Sequence, residues 1–505
     1  MSDWGGTHST VPAALAGLDM EMPDGNYFGS ALEQAVKQGS VPQSRLDDMV
    51  VRILTAMFAV GIMDSPQTGN LTANAMSTAH SALARQLAGA GTVLLQNNKN
   101  LLPINPTTVK SIAVLGDQTT VTGGGSGGVI TPYVITPIDG IGMYYTQNRS
   151  VQCQFDQDYD YYQPGNPSVP ATSKEECCRQ CTARATCNFF TFVPSQNTCW
   201  LKASNAGRTY HQGMVSGGCA PYKGPNLTYT SGDDIQAAVM AARSADVAVV
   251  VVSTTSSEGS DRKDLSLGKW DALVAAVATA QPRTVVVVRA PGAVTMPWKN
   301  QTSAIVLQFM PGMEGGNALA DILFGLVNPS GRLPLTFPNN LQETWLQSPG
   351  QYPGVNLQTN YSEKLLVGYR WYDASPSLTP LFPFGHGLSY TSFSYSNLSI
   401  TGSIGTSSIL ITATVTNTGK VTGADVPQLY IAYPSQAGEP PKVLRGFQKV
   451  TLPPGSSFVV GFSLVKHDVS IWDVDSHGWE IVRGRFGVHV GASSKDIRLS
   501  GYFTV

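Results

Sequence analysis

The stretch ADVAVVVVSTTSSEGSDRKD, residues 245–264, decides the fold. Val247–Val252 are all apolar and show no alternation. A strand apolar at every position is buried on both faces, as in a parallel sheet covered by helices on each side. The polar run that follows, Ser253–Asp264, leaves the C-terminal end of that strand, where α/β proteins place functional loops. Within it Glu258 is a candidate general acid, whereas Asp261 and Arg262 read equally well as an ion pair holding the loop.

Working outward, the same alternation recurs. DIQAAVMAARSA (234–245) reads as a helix leading into this strand, and WDALVAAVATA (270–280) as the helix after it. TVVVVRAPG (284–292) and AIVLQFMPG (304–312) are further buried strands, and GGNALADILFG (315–325) is a helix. Upstream, HSALARQLAGAG runs into Val93-Leu94-Leu95, and SIAVLGD (111–117) is another short buried strand. Helices between continuous Val/Ile runs predict a parallel sheet with both faces covered. Past residue 394 the period becomes two. ILITATVTN, PQLYIAY, FVVGFSL, RFGVHVG and GYFTV are short alternating strands between turn residues, which predicts an antiparallel β-sandwich. A Pro- and Tyr-rich stretch, 346–393, reads as an ordered linker laid over the other domains. Near the start, SRLDDMVVRILTAMFAVG (44–61) places Leu46, Met49, Val50, Ile53, Leu54, Met57 and Phe58 on one helical face. Ser44 is the expected N-cap with Asp47 at N3, and Gly61 the expected stop. A shorter helix around SALEQAVKQG precedes it.

Composition narrows the class. Of 505 residues, 42% are hydrophobic and only 13% charged, with a net charge of −2. A nucleic-acid or anionic-membrane partner would require a basic field, so neither is expected. No apolar run reaches the ~18 residues of a membrane helix. All seven cysteines lie between Cys153 and Cys219, the mark of a disulfide-stapled module made in an oxidising compartment. Sequons at Asn70, Asn148, Asn226, Asn300, Asn360 and Asn397 fit a secreted glycoprotein. The opening MSDWGGTHST offers no signal-peptide pattern, so the expectation is a chain whose N-terminal part precedes Met1.

Three constellations bear on chemistry. The first is Ser2-Asp3-Trp4, with AGLDMEMP at 16–23: a carboxylate beside an indole suits a pyranose, whose apolar face stacks on the ring while the acid addresses the anomeric carbon. Standing alone, the triplet reads more simply as a surface acid beside a packed aromatic. The second is the Glu258 loop. The third is GGGSGG (123–128), which lacks the Lys-Ser/Thr of a phosphate-binding loop and is expected to shape a site as a flexible loop. The histidines show no zinc-ligand spacing, so no metal and no cofactor are expected. His8 is a possible pocket residue by its nearness to Asp3, and His386 a satisfied structural one.

Taken together and in order, SDWGGTH, AGLDMEMP, VLLQNNKNLLPI, IAVLGD, GGGSGG, SSEGSDRKDLSL, VVVVRAPGAVTMPW, PGMEGGNALADILFGLVNPSGRLPLTFP, YSEKLLVGYRWYD and PLFPFGHGLSYTSFSYS resemble glycoside hydrolase family 3, the β-glucosidase type. The resemblance covers nearly the whole chain outside the cysteine block. It implies an α/β multidomain protein: a C-terminal remnant of a (β/α)8 barrel at 1–75, an α/β sandwich domain at 76–145 and 224–345, the linker at 346–393, and a fibronectin type III-like β-sandwich at 394–505. The block at 146–223 resembles a PAN/apple module, and that resemblance implies the pairs Cys177–Cys199, Cys181–Cys187 and Cys153–Cys219, with Cys178 left odd.

The family resemblance implies a retaining, exo-acting β-glycosidase, foremost a β-glucosidase, with Asp3 as nucleophile, Glu258 as general acid/base and Trp4 as a sugar-stacking residue. The two carboxyl groups of such an enzyme stand about 5–5.5 Å apart. Glu258 is expected to have a raised pKa in the complete site, so as to donate a proton. The implied partner is a β-glucoside or oligosaccharide, with a glycan or protein ligand for the insert. The alternatives are a β-xylosidase or other exo-glycosidase of the family, or a non-catalytic binding product. Because most of a barrel of about 250 residues lies outside this chain, the expectation is that the chain alone is inactive.

Overall fold

The computed structural model describes all residues except 66–67, 71–72, 74–75, 120–122, 132, 148–152, 163, 183, 185–186, 220–224, 347 and 405–407, and leaves the side chains of 146, 147 and 219 undescribed. The sequon at Asn148 lies outside the described residues. The chain forms two compact units, Met1–Met76 and Ser77–Val505.

In the larger unit, six strands make one sheet in the spatial order Val93–Asn97, Ala304–Leu307, Thr284–Arg289, Val247–Ser253, Ser111–Gly116 and Asn226–Thr230. The last five run parallel, whereas the edge strand Val93–Asn97 is antiparallel to Ala304–Leu307. The apolar run Val93-Leu94-Leu95 specified a strand but not its direction. Successive residues of a strand point to opposite faces, and the two cores divide accordingly. Val250, Val252, Val286 and Val288 pack with Ala238, Ala242, Leu273, Val274 and Val277 of the helices Ile235–Arg243 and Lys269–Ala280. Val249, Val251, Val285 and Val287 pack on the other face with Ile141 of Pro137–Gln147 and Leu319 and Leu323 of Gly315–Leu323. All six side chains Val247–Val252 are fully buried. The expected doubly covered sheet is thus present.

Between Pro137–Gln147 and Asn226–Thr230 the chain leaves this sheet and builds a second, antiparallel one of five strands: Cys153–Tyr161, Arg208–Cys219, Phe189–Val193, Thr198–Lys202 and Ser168–Pro170. The helix Lys174–Thr182 lies on it and carries Cys177, Cys178 and Cys181, all buried. Three disulfides join Cys153–Cys178, Cys177–Cys199 and Cys181–Cys187. Two of the implied pairs are present; the third is corrected. Cys178 is not odd, and Cys153 is bonded to it rather than to Cys219. Consecutive helical residues point about 100° apart, so Cys177 and Cys178 reach different strands. Arg184 pairs with Asp139 at 3.1 Å and ties this module to Pro137–Gln147.

Most of the C-terminal strands form two sheets, Phe393–Thr401/Ile409–Asn417/Ser457–Leu464 and Val443–Phe447/Gln428–Ala432/Arg485–Gly491/Ile497–Thr504, and the short strands form two pairs, Gly423–Asp425/Val450–Leu452 and Ser470–Asp473/Gly478–Ile481. Ile409, Ile411, Ala413 and Val415 alternate inward against Val460, Phe462, Leu429, Ile431, Val488 and Val490. In the stretch 346–393, Tyr369, Tyr372, Leu381 and Phe382 are buried.

The smaller unit holds the helices Val11–Leu15, Ser30–Lys37 and Gln43–Ala59 around Ala14, Leu32, Ala35, Val41 and Met49. Gly61 ends the third helix as expected. At φ 75° it lets its amide reach Phe58 O (3.0 Å) and that of Ile62 reach Met57 O (3.2 Å), a Schellman closure. The N-cap is Pro42 rather than Ser44, which lies inside the helix; the first turn already starts from Pro42 O, accepting Arg45 N at 2.9 Å.

Candidate active site

In the smaller unit the segments SDWGG and DMEM lie side by side. Ser2 N donates to Met20 O and Gly5 N to Met22 O, each at 2.9 Å, and Trp4 bridges Met22 in parallel. Ser2 Oγ accepts from Met22 N at 2.9 Å. Two motifs separate in sequence therefore form one platform. Its acids divide by partner. Asp19 accepts from Arg45 at 2.8 Å, and the same guanidinium donates to Ala14 O and Leu18 O. Glu21 accepts from the amides of Tyr27 (2.9 Å) and Phe28 (2.7 Å). Both are structural. Asp3 is exposed, accepts from Trp4 N at 2.6 Å, and among the described residues has no ion-pair partner. Trp4 is 70% exposed. The two side chains that the sequence singled out, the Asp3 carboxylate and the Trp4 indole, thus both face solvent. His8 is exposed as well.

In the larger unit Glu258 stands in the loop that leaves Val247–Ser253. The Gly-rich segment is zipped onto this loop: Gly124 N donates to Ser256 O (3.1 Å), Glu258 N to Gly124 O (3.4 Å), and Gly124 bridges Ser257. Ser126 N donates to Glu258 Oε2 at 2.7 Å. Hydrogen bonds from the Ser126 side chain and backbone amide, in that order, hold the exposed Glu258 carboxyl below its ordinary pKa. This is opposite to the raised value expected of a complete site, because here the group faces water and is bonded in its charged form. The glycines are needed for the fit. A Cβ on Gly124 would stand 2.3 Å from Ser257 Oγ, and one on Gly125 2.5 Å from Glu258 Cβ. The segment 123–128 thus grips the candidate acid directly, more than the flexible loop that composition suggested.

Asp261 and Arg262 do not form an ion pair among the described residues. Asp261 accepts from the Tyr352 hydroxyl at 2.5 Å. Burial pushes the Arg262 guanidinium below its usual pKa, against the raising influence of Asp264. His386 is structural as expected: its Nε2 lies 2.9 Å from Leu95 O, its ring stacks on Phe382, and burial lowers its pKa.

A row of polar side chains crosses the C-terminal ends of four neighbouring parallel strands: Asp117, Ser253, Arg289 and Gln308. Ser253 Oγ donates to Asp117 Oδ2, and Asp117 Oδ1 accepts from Thr119 N (2.8 Å) and Oγ1 (2.7 Å). Arg289 is 1% exposed, and burial pushes its pKa down to about 10. Its Nε and Nη2 donate to Gln308 Oε1 (3.1 and 3.0 Å) and its Nη1 to Thr119 O (2.8 Å). Sequence reasoning missed Ser126 and Arg289. The signal for Arg289 was a single charge directly after four valines in TVVVVR. Among the described residues no group of three or more His, Cys, Asp and Glu side chains could hold a metal ion.

Comparison with known proteins gives these features a context. Residues 92–390 match the glycosyl hydrolase family 3 C-terminal domain, and residues 425–494 a fibronectin type III-like domain. The chain is 34% identical to probable beta-glucosidase L of Aspergillus terreus, over 100% of this chain and 66% of that protein. It is 31% identical to probable beta-glucosidase G of Emericella nidulans, over 99% of this chain and 62% of that protein. Among solved structures, the beta-D-glucoside glucohydrolase of Trichoderma reesei matches with a TM-score of 0.76 at 32% identity, covering 100% of this chain and 67% of that one. DesR, a beta-glucosidase of Streptomyces venezuelae solved with D-glucose, matches with a TM-score of 0.76 at 29% identity, covering 100% and 71%. The chain thus spans 66% of the length of the first of these relatives.

Proposed function

The chain belongs to glycosyl hydrolase family 3, and from that premise we propose that it carries the catalytic groups of a retaining, exo-acting β-glucosidase. The observation that carries the reading is the Glu258 loop: a carboxylate at the end of a central parallel strand, gripped by a Gly-rich segment that leaves no room for a side chain at Gly124 or Gly125. In the first step the Asp3 carboxylate attacks the anomeric carbon, the bond to the leaving oxygen breaks, and Glu258 gives that oxygen its proton. In the second, ionised Glu258 takes a proton from the water that attacks the same carbon, and Asp3 leaves. The ionised Glu258 favoured here is the form the second step uses. Sugar covering this exposed group removes its water and raises its pKa toward what the first step requires. Trp4 stacks on the apolar face of the sugar.

The domain reading completes the proposal. Residues 1–75 are barrel elements of the (β/α)8 domain; 76–145 with 224–345 are the α/β sandwich; 146–223 are a PAN/apple-like insert able to take a glycan or protein ligand; 346–393 are the linker and 394–505 the fibronectin type III-like domain. Three disulfides and the exposure of Asn70, Asn226, Asn300, Asn360 and Asn397 support passage through a secretory compartment and glycosylation. No helix is long and apolar enough to cross a membrane among the described residues.

The test is turnover of aryl β-glucosides, with aryl β-xylosides in parallel, by the protein carrying the full barrel. Asp3→Ala should abolish hydrolysis, and Glu258→Ala should slow poor leaving groups about 100-fold more than good ones. Near-normal rates in Asp3→Ala would overturn the nucleophile, equal loss on all leaving groups would overturn the acid, and faster turnover of xylosides would move the activity to the β-xylosidases.

A further inference from the structure

Arg289 is a cation in the most apolar part of the larger unit. Among the described residues it has no carboxylate within ion-pair distance, and Asp117 acts on it only through space. A buried charge costs several kcal/mol by desolvation unless its geometry recovers it, and an apolar side chain of similar volume would suit a position that follows Val285–Val288. What the Arg289 side chain does instead is bond the start of one loop, beside the place where the backbone of the same residue holds the start of another. Its backbone oxygen accepts from Thr254 N at 3.0 Å, at the root of the Glu258 loop. Its guanidinium donates to Thr119 O at 2.8 Å, at the root of the Gly-rich loop. Thr119 is held from its other side by Asp117. The remaining guanidinium donors lie on Gln308 Oε1, and Gln308 Nε2 donates in turn to Gly315 O at 3.1 Å, which fixes the direction of the planar fork.

We propose that Arg289 is a positioning residue for the acid/base step, setting the separation of the two loops that meet at Ser126 and Glu258. The inference rests on the reading of Glu258 as acid/base. Only a planar, multi-donor group satisfies Gln308 and Thr119 together; Arg289→Lys keeps the charge and loses one of these bonds, and Arg289→Met loses all of them.

The test compares full-chain parent, Arg289→Lys, Arg289→Met and Glu258→Ala. Hydrogen exchange of amides in 123–131 is expected to quicken about tenfold in both Arg289 variants, while the strands Val247–Ser253 and Ser111–Gly116 keep their protection. Unchanged exchange at 123–131, or exchange raised equally throughout the sheet, overturns the proposal whether or not the chain turns over substrate. On aryl β-glucosides, Arg289→Met should lose about tenfold more rate with poor than with good leaving groups, with Arg289→Lys between it and the parent. Loss independent of the leaving group, in a series where Glu258→Ala shows the dependence, also overturns it. Should Glu258→Ala show none, the acid/base reading fails, and the exchange result alone decides whether Arg289 sets the loop.

Discussion

At Gly125 the backbone has φ 63°, and a methyl group there would stand 2.7 Å from Glu258 Oε2 as well as against its Cβ. Gly127, two residues on, has open space around it. Gly125→Ala is therefore expected to displace Glu258 and to cost about 1 kcal/mol from the left-handed backbone, while Gly127→Ala leaves the loop intact. Chemical denaturation, with the leaving-group dependence of hydrolysis, separates the two variants. A second expectation concerns protonation. Because Glu258 is held below its ordinary pKa in the folded chain, its bond to Ser126 favours folding above the unfolded value of about 4.3. That contribution is lost as pH falls through the lower folded value. A carboxyl-detected NMR titration should place the midpoint of Glu258 below that of a model glutamate; a midpoint above it would refute the Ser126 contact. The place of Glu258 after a strand buried on both faces was legible in sequence. Its support was not, since Ser126 lies 132 residues from it, and Arg289 lies 170 from Thr119, with no local period to link them.

The helix Gln43–Ala59 shows the same division among elements. Its apolar stripe and its stop at Gly61 were readable from spacing, because helical period and the demand for positive φ are local rules. Its first residue was not, since Pro42 and Ser44 both suit a helix start and the choice rests on where Arg45 anchors against Ala14, Leu18 and Asp19. Nor does spacing say which part of the stripe is covered. Met49 is buried, but Val50 is 46% and Phe58 55% exposed. An exposed apolar face of this kind drives association. The 505-residue chain is expected to self-associate at micromolar concentration, and Val50→Glu with Phe58→Gln to shift it toward monomer. Sedimentation velocity checks this; a parent already monomeric at high concentration would contradict it.

For the whole molecule, the cysteines give the sharpest expectation. Among the described residues three bridges join six cysteines. A non-reducing peptide map should recover Cys153 linked to Cys178; a Cys153–Cys219 peptide would reverse the assignment. Counting confined the bridges to one module, yet six cysteines permit 15 pairings, and only the placement of Lys174–Thr182 over its sheet selects among them. Ser111–Gly116 carries a different consequence. One of its neighbours, Asn226–Thr230, begins 110 residues after Gly116, beyond the whole disulfide module, and the other, Val247–Ser253, is later still. At the ribosome's pace of about 5–20 residues per second, this apolar strand waits roughly 5–20 s after its synthesis with neither edge paired. Oxidation of the module during that interval would fold the intervening chain first, shorten the distance between the waiting strand and its partners, and make the order of bridge formation a determinant of yield.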